Sequence, residues 1–331
     1  SWDRAWSWYP FRFHVRGVFA NGQSRSQQWQ FETPAVAGSI AGLPLILKRV
    51  RVSDVQATDV TYRLRPRLKP DRDYTPFIPH YPDIQGWEMT DAVTTPRKKK
   101  RPWHIRVTDI SLSGQHDLWM HQFKGKAQLS ASGGLTYVSR GGAFSLDLDS
   151  LDLQMERLFV NGDQEVLRRA RVAGSLGFDP FVPREHKDLT MMEFLRADVE
   201  VDIDSNSLAF INVFLLNFPQ FTVDGRGEVS GRLRLDRGTV LEGTDLKTEA
   251  DALQLDILSH RIAGDGDVTL QMAPEPHGLD LKFVFADLEV IHAGDDRAML
   301  TGSDLQLGVG GDGYVLPGRE EMDRDRTISL D

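Results

Sequence analysis

The chain contains no cysteine. That excludes a disulfide framework and any thiolate metal site, and it suits a periplasmic protein and a cytosolic one alike. Long hydrophobic runs are also missing. The longest, Leu208 to Leu216, falls far short of the about 20 residues that cross a bilayer as a helix. There is no excess of positive charge: 39 Lys and Arg stand against 48 Asp and Glu, a net charge of −9 over 331 residues. Phosphate binding needs a basic face, so a general nucleic-acid partner is not expected. The chain opens on Ser-Trp-Asp, with neither an initiator Met nor a signal segment, and is read as a trimmed piece of a longer protein.

Catalytic signatures are lacking as well. There is no P-loop, no dinucleotide fingerprint after a strand and no nucleophile elbow. The nine His residues are scattered. His116 and His121 form the closest pair, without a third ligand near them in sequence. Asp265, Asp267 and Asp312 sit in Gly-Asp-Gly contexts that read as turns rather than calcium loops, which need several oxygen ligands at fixed spacing. Asp and Glu are so frequent that choosing two as a glycosidase pair would be arbitrary. We therefore expect no catalytic residue, no metal and no cofactor.

What the sequence does contain is period-two alternation. Phe11, Phe13 and Val15 alternate with Arg12, His14 and Arg16, and the pattern returns at Val50–Val52 and at Val60, Tyr62 and Leu64. It runs on through Trp103–Val107, Ile110–Leu112, Ala127–Ala131, Phe144–Met155, Val199–Ile203 and Leu279–Phe285. Alternation of this kind marks strands with one apolar and one polar face. Turns are expected at Asn21-Gly22, Gly133-Gly134, Gly141-Gly142, Asn161-Gly162, the Asp-Gly and Arg-Gly pairs of 224–227, and Gly264-Asp265-Gly266. A loose helical turn is expected within Ala35–Leu47. Short helices are expected near 188–197 and 206–217, the second opened by Ser205 and Asn206 and closed by Pro219. The organisation read from this is an N-terminal β segment over 1–65 and a Pro-rich, basic loop over 66–102. Further β structure fills 103–310, and a polar tail covers 311–331 whose Thr327–Leu330 reads as the start of a strand. The fold class is mainly β: a long, curved antiparallel sheet with an open hydrophobic groove.

The apolar positions expected to line such a groove are Val199, Val201, Ile203, Phe210, Phe214, Leu233, Leu235, Leu255, Ile257, Val268, Leu270, Leu281, Phe283 and Phe285. The basic run Arg97, Lys98, Lys99, Lys100 and Arg101 is expected to meet anionic headgroups if it is not simply a solvated linker. Trp2, Trp6, Trp8 and Tyr9 suit either a membrane interface or the capped end of a sheet.

Several stretches resemble the AsmA-like family of bacterial envelope proteins, to which TamB belongs. They are VRVSDVQATDVTYRLRPR followed by IPHYPDIQGW, PWHIRVTDISLSG running into DLWMHQFKGKAQLSASGG, and FPQFTVDGRGEVSGRLRLDRGTVLEG followed by LDILSHRIAGDGDVTLQM. Each is low in specificity, but their order covers most of the chain. The resemblance implies a periplasmic, inner-membrane-anchored protein without enzymatic activity. Its sheet would form a groove (the β-taco type) that carries phospholipid toward the outer membrane and contributes to outer-membrane biogenesis. The family's anchor helix is not in this sequence. Two other readings stay open. One is an envelope scaffold that binds outer-membrane or periplasmic proteins by strand addition. The other is a carbohydrate-binding β-domain using Trp87, Trp103 or Trp119.

Overall fold

The computed structural model describes residues 1–7, 11–23, 27–67, 78–86, 101–183, 185–186, 188–209, 221–257, 259–272, 278–292, 297–311 and 328–330. Strands hold 76% of them, so the chain is mainly β. It divides into two units, residues 1–164 with 180–184, and residues 165–179 with 185–331.

The first unit is built from β1 (Arg4–Trp6), β2 (Arg12–Gln23), β3 (Gln27–Ile40), β4 (Arg49–Thr58), β5 (Thr61–Pro66), β6 (His104–Ser113), β7 (Gln115–Met120), β8 (Phe123–Val138) and β9 (Phe144–Val160). The ladders close a six-strand ring, β3–β4–β6–β8–β7–β5–β3, with β1–β2 and β9 attached to β3 and β8. The register explains how that ring arises. Residues 35–40 of β3 pair with β4 and residues 27–32 with β5, so β4 and β5 follow end to end along β3. Along β8, β7 and β6 do the same.

Two of these ladders are parallel, β4 with β6 and β5 with β7, which corrects the purely antiparallel sheet expected from sequence. Parallel neighbours need a crossover of a dozen or more residues. The Pro-rich segment between β5 and β6 is that crossover. Part of it, residues 78–86, is packed rather than solvated: Tyr81, Pro82 and Ile84 are buried.

The second unit contains residues 165–179 of β10 (Gln164–Phe181), then β11 (Leu195–Ser205), β12 (Phe221–Asp236), β13 (Thr239–Val240), β14 (Asp245–Ile257), β15 (His260–Met272), β16 (Leu279–His292), β17 (Ala298–Gly311) and β18 (Ile328–Leu330). All its ladders are antiparallel.

Several expected turns are instead strand interiors. Asn21-Gly22 lies in β2, Gly133-Gly134 in β8, residues 224–227 in β12 and Gly264–Gly266 in β15. The last three lie at or beside register shifts, where a bulge lets an extra residue into the strand. A Cβ on Gly264 would run into the Asp287 carbonyl oxygen; the glycine is there for backbone approach, not for reversal. Gly141-Gly142 and Asn161-Gly162 do turn, with Arg140 and Asn161 in the left-handed region at φ 68° and 50°. Residues 188–194 form a 3-10 helix that hands over to β11 at Leu195, so the expected helix to 197 is shortened by a strand. Leu43–Leu47 is a 3-10 turn, and β3 extends to Ile40 before it. Most of the expected 206–217 helix lies outside the described residues.

Candidate functional site: one-sided apolar sheets

In the first unit the register lines up apolar residues from strand to strand. One row runs Val15, Val36, Ala57, Leu112, Ala131, Leu151. Another runs Trp29, Leu64, Met120, Phe123, Val160. Beside it, the row through Gln28 and Arg65 is polar. Within residues 27–32 of β3, Trp29 and Phe31 face away from Gln28 and Gln30, as period two requires, while Val36 further along the strand shares the side of Gln28 and Gln30.

The polar side is covered by the 78–86 strap. The Arg65 guanidinium is 2% exposed. It donates to Gln28 Oε1 at 2.8 Å and to the Pro82 carbonyl at 3.1 Å. Burial lowers its pKa, partly countered by the Asp83 carboxylate. The Gln85 N–H donates to Gln30 Oε1 at 2.8 Å, Asn21 Nδ2 donates to the Gln85 carbonyl, and Trp119 Nε1 donates to the His80 carbonyl at 3.1 Å. His116, 2% exposed, accepts the Val60 N–H on Nδ1 at 3.2 Å. Burial lowers its pKa, with the Asp59 carboxylate acting in the opposite sense. His121 packs edge-on to Tyr81. These histidines are structural here, and no group of three or more potential metal ligands exists among the described residues.

In the second unit the apolar rows are longer. One runs Ala170, Ile203, Val229, Thr248, Val268, Phe283, Leu307, and its neighbour Val172, Val201, Gly231, Leu246, Leu270, Leu281, Val309. Val199 pairs with Leu233, Leu235 with Ala197 and Val240, Leu255 with Ile262, Ile257 with His260, and Phe285 with Gly266 and Leu305. The register thus places the strand positions singled out from sequence in adjoining apolar rows. Phe210, Phe214 and residues 97–100 lie outside the described residues; Arg101 is exposed at the start of the chain's return to β6.

Burial along these rows is uneven. Val199, Leu235 and Val240 are buried with Ala197, and Phe285 and Leu288 are buried with Ala250, Leu253 and Leu208. Val172, Val201, Ile203, Val229, Leu233, Val268 and Leu270 are half-buried. Leu208 lies just past β11, so the chain leaving that strand rests on the apolar side. Ser205 and Asn206 do not cap a helix here. Ser205 Oγ donates to the Val166 carbonyl at 2.8 Å and Asn206 Nδ2 to Glu165 Oε1 at 3.0 Å, while Ser207 Oγ accepts the Ala209 N–H.

Between the apolar rows lie charged ones, such as Glu200, Arg232, Asp245, Gln271, Asp280. Arg232 and Arg234 both pair with Asp198, at 2.8 and 3.4 Å. The hydrogen bond from Arg232 is the main cause holding the Asp198 carboxyl below its ordinary pKa. Arg261 does the same for Asp256 at 2.7 Å. These pairs are exposed and worth little to stability; they keep this side wet.

The sugar-stacking candidates fare differently. Trp87 lies outside the described residues, Trp119 is held by His80 and by Lys124 over its ring, and Trp103 is exposed. Asp265 and Asp267 belong to β15 rather than to a turn, and the Asp265 carboxylate accepts the Ala252 N–H at 2.6 Å; Asp312 lies outside the described residues. At the N-terminus, Trp6 stacks on His14 and lies beneath Arg4 and Arg16, while Trp2 is exposed. Sequence reasoning missed the Arg65 strap, whose only signal was a polar Gln-x-Gln inside a strand.

No protein-family model matches this chain, and a search of curated proteins finds no match.

Proposed function

We propose that this chain is a lipid-transfer protein of the Gram-negative envelope. On this reading its sheet curls into a groove that shields phospholipid acyl chains between the inner and outer membranes. It works in the periplasm, tethered to the inner membrane by a segment beyond this sequence, and it needs no catalytic group. The observation that supports this most is the pair of apolar rows laddered across β10 to β17, half-buried at Val172, Val201, Ile203, Val229, Leu246, Val268 and Leu270. Seven laddered strands at about 4.8 Å spacing give such rows a reach of roughly 30 Å. Each methylene kept from water is worth about 0.8 kcal/mol, so a trough of this kind offsets the cost of moving a lipid through water. It does so without a tight headgroup site that would halt it. The resemblance to the AsmA-like family supports the same reading.

Native mass spectrometry after detergent-free purification tests it. Phospholipid should remain bound to the wild-type chain. Val268→Asp and Leu270→Asp, both at half-buried positions, should lower occupancy by at least about tenfold with strand content unchanged. A wild-type chain that emerges lipid-free would end this reading.

A second reading has one observation in its favour. The pairing of β18 with β17 covers only Val309–Gly311. The remaining outer edge of β17 has no strand on it among the described residues, and an open edge accepts strand addition. Proline substitutions along that edge would abolish partner capture and leave lipid occupancy intact if the scaffold reading holds.

A further inference from the structure

One end of the first unit is both oily and rich in cations. The 3-10 turn between β3 and β4 exposes Leu43 at 82%, Ile46 at 81% and Leu47 at 70%. Phe11 is 62% exposed and Trp103 40%. Backbone hydrogen bonds gather these residues at the same end: Ile40 N–H to the Phe11 carbonyl at 2.8 Å, His104 N–H to the Lys48 carbonyl at 3.0 Å and Ser139 N–H to the Trp103 carbonyl at 2.9 Å. Phe11 is held at φ 70°, a conformation that a bulky side chain rarely takes, and its ring lies against Gly42. Single exposed apolar residues are ordinary, but a contiguous group of large ones marks an interaction site.

The charge around this patch is one-sided. Arg12, Lys48, Arg49, Arg51, Arg101 and Arg140 lie on the stretches that carry it. The stretches that build it, 11–15, 38–52, 101–107 and 136–146, contain no Asp or Glu, although the chain as a whole carries −9. Among the described residues none of these six cations is in an ion pair. An apolar tip with unpaired Arg and Lys on the stretches that carry it, and a Trp among them, matches an anionic membrane surface: hydrocarbon below, phosphate around, an aromatic ring at the boundary. A protein partner of ordinary composition would not require stretches without a single acidic residue.

We infer that this end of the first unit is a membrane-docking tip, which sets the Leu43–Leu47 turn into the headgroup boundary of an anionic bilayer. The inference is independent of whether the sheet carries lipid. It offers a peripheral contact made by this chain itself, which shares only Arg101 with the 97–101 basic run.

Flotation of the full chain with vesicles tests it, using phosphatidylcholine alone and phosphatidylcholine mixed with phosphatidylglycerol. The chain should float with the anionic vesicles and scarcely with the neutral ones. A combined Leu43→Ser, Ile46→Ser, Leu47→Ser variant should lose at least about tenfold in binding. Each of Lys48→Gln, Arg49→Gln and Arg140→Gln should cost roughly fivefold. Brominated lipid should quench the wild-type protein more than Trp103→Phe. These positions are exposed, apart from half-buried Lys48, so the variants should keep wild-type circular dichroism. Failure of the wild type to float, flotation of the serine variant at the wild-type level, or a dimer that the serine variant abolishes would overturn the inference. Val268→Asp should float normally and the serine variant should keep its bound lipid, so the two proposals fail separately.

Discussion

Arg65 shows how one residue holds a connection in place. A guanidinium with 2% exposure is costly unless its donors are used. Here they reach Gln28 and Pro82, which fastens the crossover to the sheet. Arg65→Met keeps the stem but leaves both acceptors without that donor. It should cost about 2–4 kcal/mol and free the amides of 78–86 to hydrogen exchange, which a deuterium-uptake comparison would read. His116 gives a pH dependence. Its folded pKa lies below the ordinary imidazole value of about 6.5 because burial disfavours the charged ring. Between the folded and unfolded values the unfolded chain binds more protons, so stability rises with pH there. The contribution is complete above about 6.5 and is lost as pH falls through the folded value. The urea midpoint should therefore be lower at pH 5 than at pH 7.5. His116→Gln should flatten part of that difference; the rest stays with His121, lowered for the same reason.

At the scale of elements, alternation was a sound guide to strands and a poor guide to where they end. Period two is local, and the apolar side of β6, β8, β11 and β15 could be read directly from it. Glycine-rich pairs are ambiguous, because the same residue that permits a tight turn also permits a bulge or a close backbone approach. Gly264 and Gly133 looked like reversals for that reason. The Asp residues at 54, 59 and 109, in VSDV, ATDV and VTDI, all have positive φ near 50–55°. They are kinks inside or between collinear strands. The parallel ladders were not legible at all, since which strand a crossover rejoins depends on pairing between residues far apart in sequence. Gly264→Ala tests the bulge account. The added methyl meets the Asp287 carbonyl, so the substitution should lower stability by roughly 1–3 kcal/mol, read as an earlier urea midpoint. A turn glycine with normal φ would show almost no loss.

At the scale of the molecule, the second unit sets charged rows between aliphatic ones across an antiparallel sheet, whereas the first unit buries Gln28, Gln30 and Arg65 on the side that also carries Val36 and Ala57. The candidate strand positions were legible because each lies in a period-two run on one side of a register shift, although the parity itself flips at the shifts in β14 and β16. The membrane-docking tip was not, because its cations come from four separated stretches that only the strand ends bring together. Whether the aliphatic rows are sealed or open can be asked residue by residue. Leu235 is 6% exposed and packed with Ala197, Val199 and Val240, so Leu235→Asp buries a carboxylate without a partner and should cost more than about 4 kcal/mol. Val201 and Val268 are half-buried. If water or a lipid chain reaches them, Val201→Asp and Val268→Asp should cost only about 1–2 kcal/mol and leave the second unit's exchange protection in place. Urea titrations of the three variants side by side separate the cases. Three equal, large losses would mean that all these side chains belong to one closed core, leaving no apolar surface for an acyl chain. A single large loss at Leu235 would mean that the sheet keeps a dry seam beside an accessible face, which is the arrangement a shielded but mobile lipid requires.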